Sequence, residues 1–155
     1  MEVEWIRFYE MSTGNSEISR TPTPTAKVVA LRSNTNGNFV SADKTGKIPL
    51  IANRKTVSDW EKFDLIALND NNIALRSHAN GRYVCAEKGG NEALIANRTC
   101  IHSWETFQMV NRGHGKVGFI AVNGKYVCAD NFGISAIIAN RNSPSIWETF
   151  DLVPH

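Results

Sequence analysis

The chain has 155 residues, 42% of them hydrophobic and 21% charged, with a formal net charge of +2. That is enough apolar material for one ordinary globular domain plus a short extension, with a core that needs no disulfides. The Lys, Arg, Asp and Glu residues are interspersed, so no basic stripe points to nucleic acid or an anionic membrane, and no apolar run is long enough to span a bilayer.

Met1-Glu2-Val3-Glu4 is acidic where a signal peptide needs a basic segment, and no apolar stretch follows; a secretion signal is expected on sequence not present here. Residues 1–10 contain Val3-Glu4-Trp5-Ile6-Arg7-Phe8-Tyr9, which favours a strand, and residues 11–26 are rich in Ser, Thr, Gly, Asn and Pro and read as a linker. A strand standing alone needs a backbone partner. It is either the last strand of a preceding domain or a staple between the first and last parts of the domain that follows.

From residue 27 the sequence repeats itself with a period of about 43 residues, which indicates a repeat architecture. Leu50-Ile51-Ala52-Asn53-Arg54 leads to Trp60-Glu61-Lys62-Phe63, Leu94-Ile95-Ala96-Asn97-Arg98 to Trp104-Glu105-Thr106-Phe107, and Ile137-Ile138-Ala139-Asn140-Arg141 to Trp147-Glu148-Thr149-Phe150. Upstream, Asn36-Gly37-Asn38-Phe39-Val40-Ser41-Ala42-Asp43 aligns with Asn80-Gly81-Arg82-Tyr83-Val84-Cys85-Ala86-Glu87 and Asn123-Gly124-Lys125-Tyr126-Val127-Cys128-Ala129-Asp130. Another short apolar run precedes each, giving four strands in each of the units 27–70, 71–113 and 114–155. The Asn-Gly pairs predict hairpins between first and second strands, both residues tolerating positive φ. Gly46, Gly89, Gly90 and Gly133 mark the next turns. Three units are too few for a propeller, so the expected fold is an all-β β-trefoil: a six-stranded barrel capped by three hairpins, with pseudo-threefold symmetry.

Strand alternation through Trp60–Leu65 puts Phe63 and Leu65 on one face with Glu61, leaving Trp60 on the other. The same parity turns Trp104 and Trp147 outward, and outward aromatics repeated in equivalent settings suggest a ligand. A sugar needs a flat apolar plate for its C–H face and a fixed acceptor for its hydroxyls. The tryptophans supply the plate. Two sets of acids are candidate acceptors: Glu61, Glu105 and Glu148 beside the tryptophans, and Asp43, Glu87 and Asp130 at the ends of the second strands. The first set could instead pair structurally with Arg54, Arg98 and Arg141 on neighbouring strands. Cys85, Cys100 and Cys128 fit no zinc or disulfide pattern and read as free thiols, while His78, His102, His114 and His155 share no spacing. No metal site, cofactor or catalytic triad is called for.

These phrases resemble the fascin-like β-trefoil repeat of bacterial polysaccharide-degrading enzymes, and within it the trivalent carbohydrate-binding modules of family 92, which present a Trp and an acid once per lobe. The resemblance covers residues 27 to 153; the first copy departs with Phe39, Ser41 and Lys62 but keeps Trp60 and its acids. It implies non-catalytic binding of β-1,3- and β-1,6-linked glucans of the laminarin or pustulan type by a monomer, secreted as part of a larger enzyme. Val3–Tyr9 looks like the closing strand of family 16 glycoside hydrolases, implying such a catalytic domain covalently attached upstream. Two other readings stay open. One is an actin-binding or bundling protein, because fascin shares the trefoil; the other is a free-standing lectin.

Overall fold

The computed structural model describes residues 26–155. The strand expected over Val3–Tyr9 and the linker up to residue 25 lie outside the described residues; Ala26 opens the first strand. Twelve strands follow: β1 (Ala26–Ser33), β2 (Phe39–Ser41), β3 (Ile51–Arg54), β4 (Phe63–Ala67), β5 (Asn72–Ser77), β6 (Tyr83–Ala86), β7 (Leu94–Arg98), β8 (Phe107–Gly113), β9 (Lys116–Ile120), β10 (Tyr126–Ala129), β11 (Ile137–Arg141) and β12 (Phe150–Pro154).

Antiparallel pairing runs β1–β4, β4–β5, β5–β8, β8–β9, β9–β12 and back to β1 through Leu31↔Leu152 and its neighbours, which closes a six-stranded barrel. The remaining strands form the hairpins β2–β3, β6–β7 and β10–β11 that cap one end. Each carries a register shift just after Phe39, Tyr83 or Tyr126, and such bulges bend a short strand away from the barrel wall. The protein is a β-trefoil.

Threefold repetition in sequence becomes threefold layering in the core. Phe63, Phe107 and Phe150 form one set of buried side chains, Leu50, Leu94 and Ile137 a second, and Val40, Val84 and Val127 a third. Together they leave only a small apolar cavity of about 20 Å3 at the centre. The cap hairpins also join through the backbone: Leu50 N–H donates to Leu94 O at 2.9 Å, and Ile137 N–H donates to Leu50 O at 2.8 Å.

The Asn-Gly hairpins form, but by a different mechanism from the one expected. Only the glycines take positive φ (Gly37 at 73°, Gly81 at 72°, Gly124 at 78°). The asparagine works through its side chain. Asn80 Nδ2 donates to Ala96 O at 2.9 Å while its Oδ1 accepts from Arg82 N–H at 3.0 Å, and Asn36 and Asn123 repeat both bonds. Each asparagine also abuts a glycine of the preceding lobe. A Cβ on Gly46 would lie 2.2 Å from Asn80 Nδ2, one on Gly90 would lie 2.2 Å from Asn123 Nδ2, and one on Gly133 would lie 2.1 Å from Asn36 Nδ2. The three contacts run 1→2, 2→3 and 3→1 and interlock the lobes.

Candidate functional site

The tryptophans do not sit on strands. Each lies in a single 3-10 turn, Asp59–Glu61, Ser103–Glu105 or Ile146–Glu148, immediately before β4, β8 or β12. The adjacent glutamate closes that turn. Ser58 N–H and Oγ both donate to Glu61 Oε1 at 2.8 Å, and Ser145 N–H and Oγ donate to Glu148 Oε1 at 2.7 and 2.8 Å. His102 N–H donates to Glu105 Oε1 at 2.7 Å. These are capping boxes, in which the third residue of the turn reaches back to the backbone ahead of it.

Glu61, Glu105 and Glu148 are therefore corrected as sugar contacts: at 1%, 2% and 1% exposure they cannot reach a ligand in solution. Nor do they pair with the arginines. Burial, reinforced by Glu105 and Glu148, also pushes up the thiols of Cys85, to about 12, and Cys128. Cys85, Cys100 and Cys128 are free, the first and last buried and Cys100 exposed.

The arginines go to the other acids. Arg54 Nη2 donates to Asp43 Oδ1 at 2.7 Å, Arg98 Nη2 to Glu87 Oε1 at 2.5 Å, and Arg141 Nη2 to Asp130 Oδ1 at 2.5 Å. The hairpin cap explains the pairing, since β2–β3, β6–β7 and β10–β11 bring the end of the second strand beside the Asn-Arg of the third. The same guanidinium lies over the neighbouring indole. Arg54 Cζ is 5.5 Å from the centroid of Trp60, Arg98 Cζ 5.6 Å from Trp104, and Arg141 Cζ 5.1 Å from Trp147, all within cation–π range. Trp60, Trp104 and Trp147 are consequently half-buried rather than fully open. Their place outside the core was legible; the arginine lying over each ring was not.

Each lobe thus presents a Trp–Arg–acid cluster in which one guanidinium fixes both the plate and the acceptor. Asparagine completes it in two lobes: Asn53 Nδ2 donates to Asp43 at 2.9 Å and Asn97 Nδ2 to Glu87 at 2.8 Å. In the third, Asp130 takes Asn131 N–H at 3.0 Å in place of the asparagine amide, while Asn140 Oδ1 accepts from Arg141 Nε at 3.2 Å as Asn97 Oδ1 does from Arg98 Nε at 3.3 Å. These asparagines were absent from the predicted site, although the repeated Ile-Ala-Asn-Arg phrase carried their signal. Burial alone would raise the Asp43 carboxyl, but the Ser41 hydroxyl, the Asn53 amide and Arg54 outweigh it and hold Asp43 below the usual carboxylate range.

The acids keep part of their surface in water, with side-chain exposure of 14% for Asp43, 20% for Glu87 and 30% for Asp130. A carboxylate offers about four lone-pair sites, so lone pairs remain for outside donors beside a partly exposed indole. An open groove of about 440 Å3 runs past the second cluster, between the turn of the first lobe and β7, with Lys47, Arg82 and Asn97 along it. Among the described residues no group of three or more His, Cys, Asp or Glu could hold a metal ion.

No protein-family model and no curated protein sequence matches the chain. Solved structures do. ThreeFoil, a designed threefold-symmetric protein, superposes with a TM-score of 0.74 at 17% identity, covering 83% of this chain and 99% of that one. The exo-β-1,3-galactanase 1,3Gal43A from Clostridium thermocellum gives 0.74 at 13% identity over 85% of this chain. The GlcNAcα1-4Gal-releasing endo-β-galactosidase from Clostridium perfringens gives 0.68 at 13% over 83%. The match occupies only 31% and 32% of those two enzymes. At these identities the likeness is one of fold: this chain is similar to a complete designed trefoil and to about a third of each of two glycosidases.

Proposed function

We propose that the domain is a non-catalytic carbohydrate-binding module that holds an attached glycoside hydrolase on β-glucan, with one site per lobe. The observation that carries this reading is the recurrence, three times in equivalent positions, of a partly exposed indole and a partly exposed carboxylate tied together by one arginine. A pyranose stacks its C–H face on the indole, and its hydroxyls donate to Asp43, Glu87 or Asp130 through charge-assisted hydrogen bonds. The spare N–H groups of Arg54, Arg98 and Arg141 donate to neighbouring sugar oxygens.

A single site of this size is weak, with a dissociation constant of about 1 mM, or about −4 kcal/mol. Three sites around one body gain by multivalency, about 100-fold or more on an insoluble polymer when geometry permits simultaneous engagement. The resemblance to family 92 modules supports β-1,3- and β-1,6-linked glucans as the ligand class, and that glycosidases contain a similar fold supports attachment to a catalytic domain. The setting that fits is extracellular.

Parallel pull-downs on insoluble β-glucan and on filamentous actin test the reading. Retention on the glucan alone is expected; retention on actin alone would replace it with the cytoskeletal alternative.

A further inference from the structure

The three lobes are not equivalent around the indole. Each hairpin cap carries a left-handed turn, Lys44–Gly46, Glu87–Gly90 or Asn131–Gly133, and in the second and third lobes the residue before the turn's last glycine stands beside that lobe's tryptophan. That residue is Thr45 in the first lobe, Gly89 in the second and Phe132 in the third, at φ of 59°, 67° and 58°. Glycine holds this conformation without penalty, whereas an L side chain, and a bulky aromatic above all, is held there at a cost. A Cβ on Gly89 would stand 3.6 Å from Trp104 Nε1, so the position is next to the indole and has room for a side chain.

Phe132 uses that room. Its ring centroid is 4.9 Å from that of Trp147, the planes inclined at 67°, and the side chain is nevertheless 60% exposed. Ile134, two residues after Phe132, and Ile146, just before Trp147, are 70% and 59% exposed. The equivalent positions are Lys47 and Asp59 in the first lobe and Asn91 and Ser103 in the second. Three of the large apolar side chains left in water therefore belong to the third lobe, one of them against Trp147 and one next to it in the chain, at positions where the other lobes have polar residues or glycine.

Resting on the carbohydrate reading above, we propose that the third lobe is a two-ring subsite: one pyranose stacks on Trp147 and the next residue of the same β-linked chain packs against Phe132. Two rings inclined at 67° cannot both lie flat on a straight ribbon of sugars. They suit a chain that turns between neighbouring residues, as a β-1,3-linked chain does. The third lobe then discriminates by chain length, while the first and second, with Thr45 and Gly89 at the equivalent position, grip one sugar ring each.

Site-resolved NMR tests this, because each indole N–H reports its own lobe. The 15N-labelled protein is titrated with glucose and, separately, with a β-1,3-linked tetrasaccharide. The tetrasaccharide-to-glucose affinity ratio is expected to be about tenfold larger at Trp147 than at Trp60 or Trp104. Phe132→Gly brings the Trp147 ratio down to that of the other lobes, and Gly89→Phe raises the ratio at Trp104; the dispersion of the indole signals confirms that both variants are folded. Equal ratios at all three indoles, or a Trp147 ratio unmoved by Phe132→Gly, would overturn the two-ring subsite while leaving carbohydrate binding in place. Indole signals that respond to neither sugar would overturn both.

Discussion

Asp43 and Arg54 stand eleven residues apart in the chain and 2.7 Å apart in space, across the bulged β2–β3 hairpin. The arginine is the hinge of the site: the same guanidinium that holds the carboxylate lies over Trp60. Glu87 with Arg98 and Asp130 with Arg141 repeat the relationship.

Removing the charge of one acid should therefore act on binding more than on the fold. Glu87→Gln keeps the shape but weakens both the proposed sugar hydrogen bonds and the bond that positions Arg98. The expected result is a dissociation constant about tenfold weaker at the second lobe, read from the Trp104 indole signal, with Trp60 and Trp147 unaffected. The melting temperature should change little, because the pair is partly solvated and its net contribution small.

The glutamates beside the tryptophans should behave in the opposite way. Glu148→Ala removes the buried acceptor for Ser145 N–H and Oγ in the capping box. A loss of about 1 to 2 kcal/mol in unfolding free energy is expected from chemical denaturation. Glucose affinity at Trp147, in the same lobe, should be largely preserved while the variant stays folded, since Glu148 is buried and touches no ligand surface.

That contrast shows what the sequence could convey. The period, the twelve strands, the trefoil and the inward set of Phe63, Phe107 and Phe150 were all legible, because apolar alternation and turn residues are local signals repeated three times. That the tryptophans stay out of the core was legible too, although they lie in 3-10 turns rather than on strands. The role of Glu61 and Glu148 was written in the same stretch as Ser-x-x-Glu, at Ser58–Glu61 and Ser145–Glu148, a capping-box spacing that strand alternation hides. The choice of Asp43 over Glu61 as the partner of Arg54 was not legible, since it depends on the bulge after Phe39 and on how the hairpin folds over the barrel. Nor was the meeting of Phe132 with Trp147, which depends on a left-handed turn that nothing in the residue type of Phe demands.

Acid should loosen the fold through a defined set of carboxylates. Burial raises Asp43, Asp64 and Asp151, but Ser41, Asn53 and Arg54 in the first case, His78 and Arg76 in the second, and Lys116, Arg32 and Asn34 in the third leave each one net lowered. A carboxyl lowered in the folded state contributes stability above its unfolded value of about 3.9 and loses it as pH falls through the folded value. Unfolding free energy should therefore be flat in this contribution from neutral pH to about pH 5 and fall below about pH 4. Urea titrations between pH 7 and pH 3 check this, and Asp64→Asn should flatten part of the acid limb.

The central claim is that the three indoles are the sugar-binding surface, and affinity electrophoresis through gels containing soluble β-glucan tests it most directly. The native protein should be retarded, each of Trp60→Ala, Trp104→Ala and Trp147→Ala should be retarded less, and the triple variant should migrate as it does in a glucan-free gel. A folded triple variant retarded as strongly as the native protein would contradict the account.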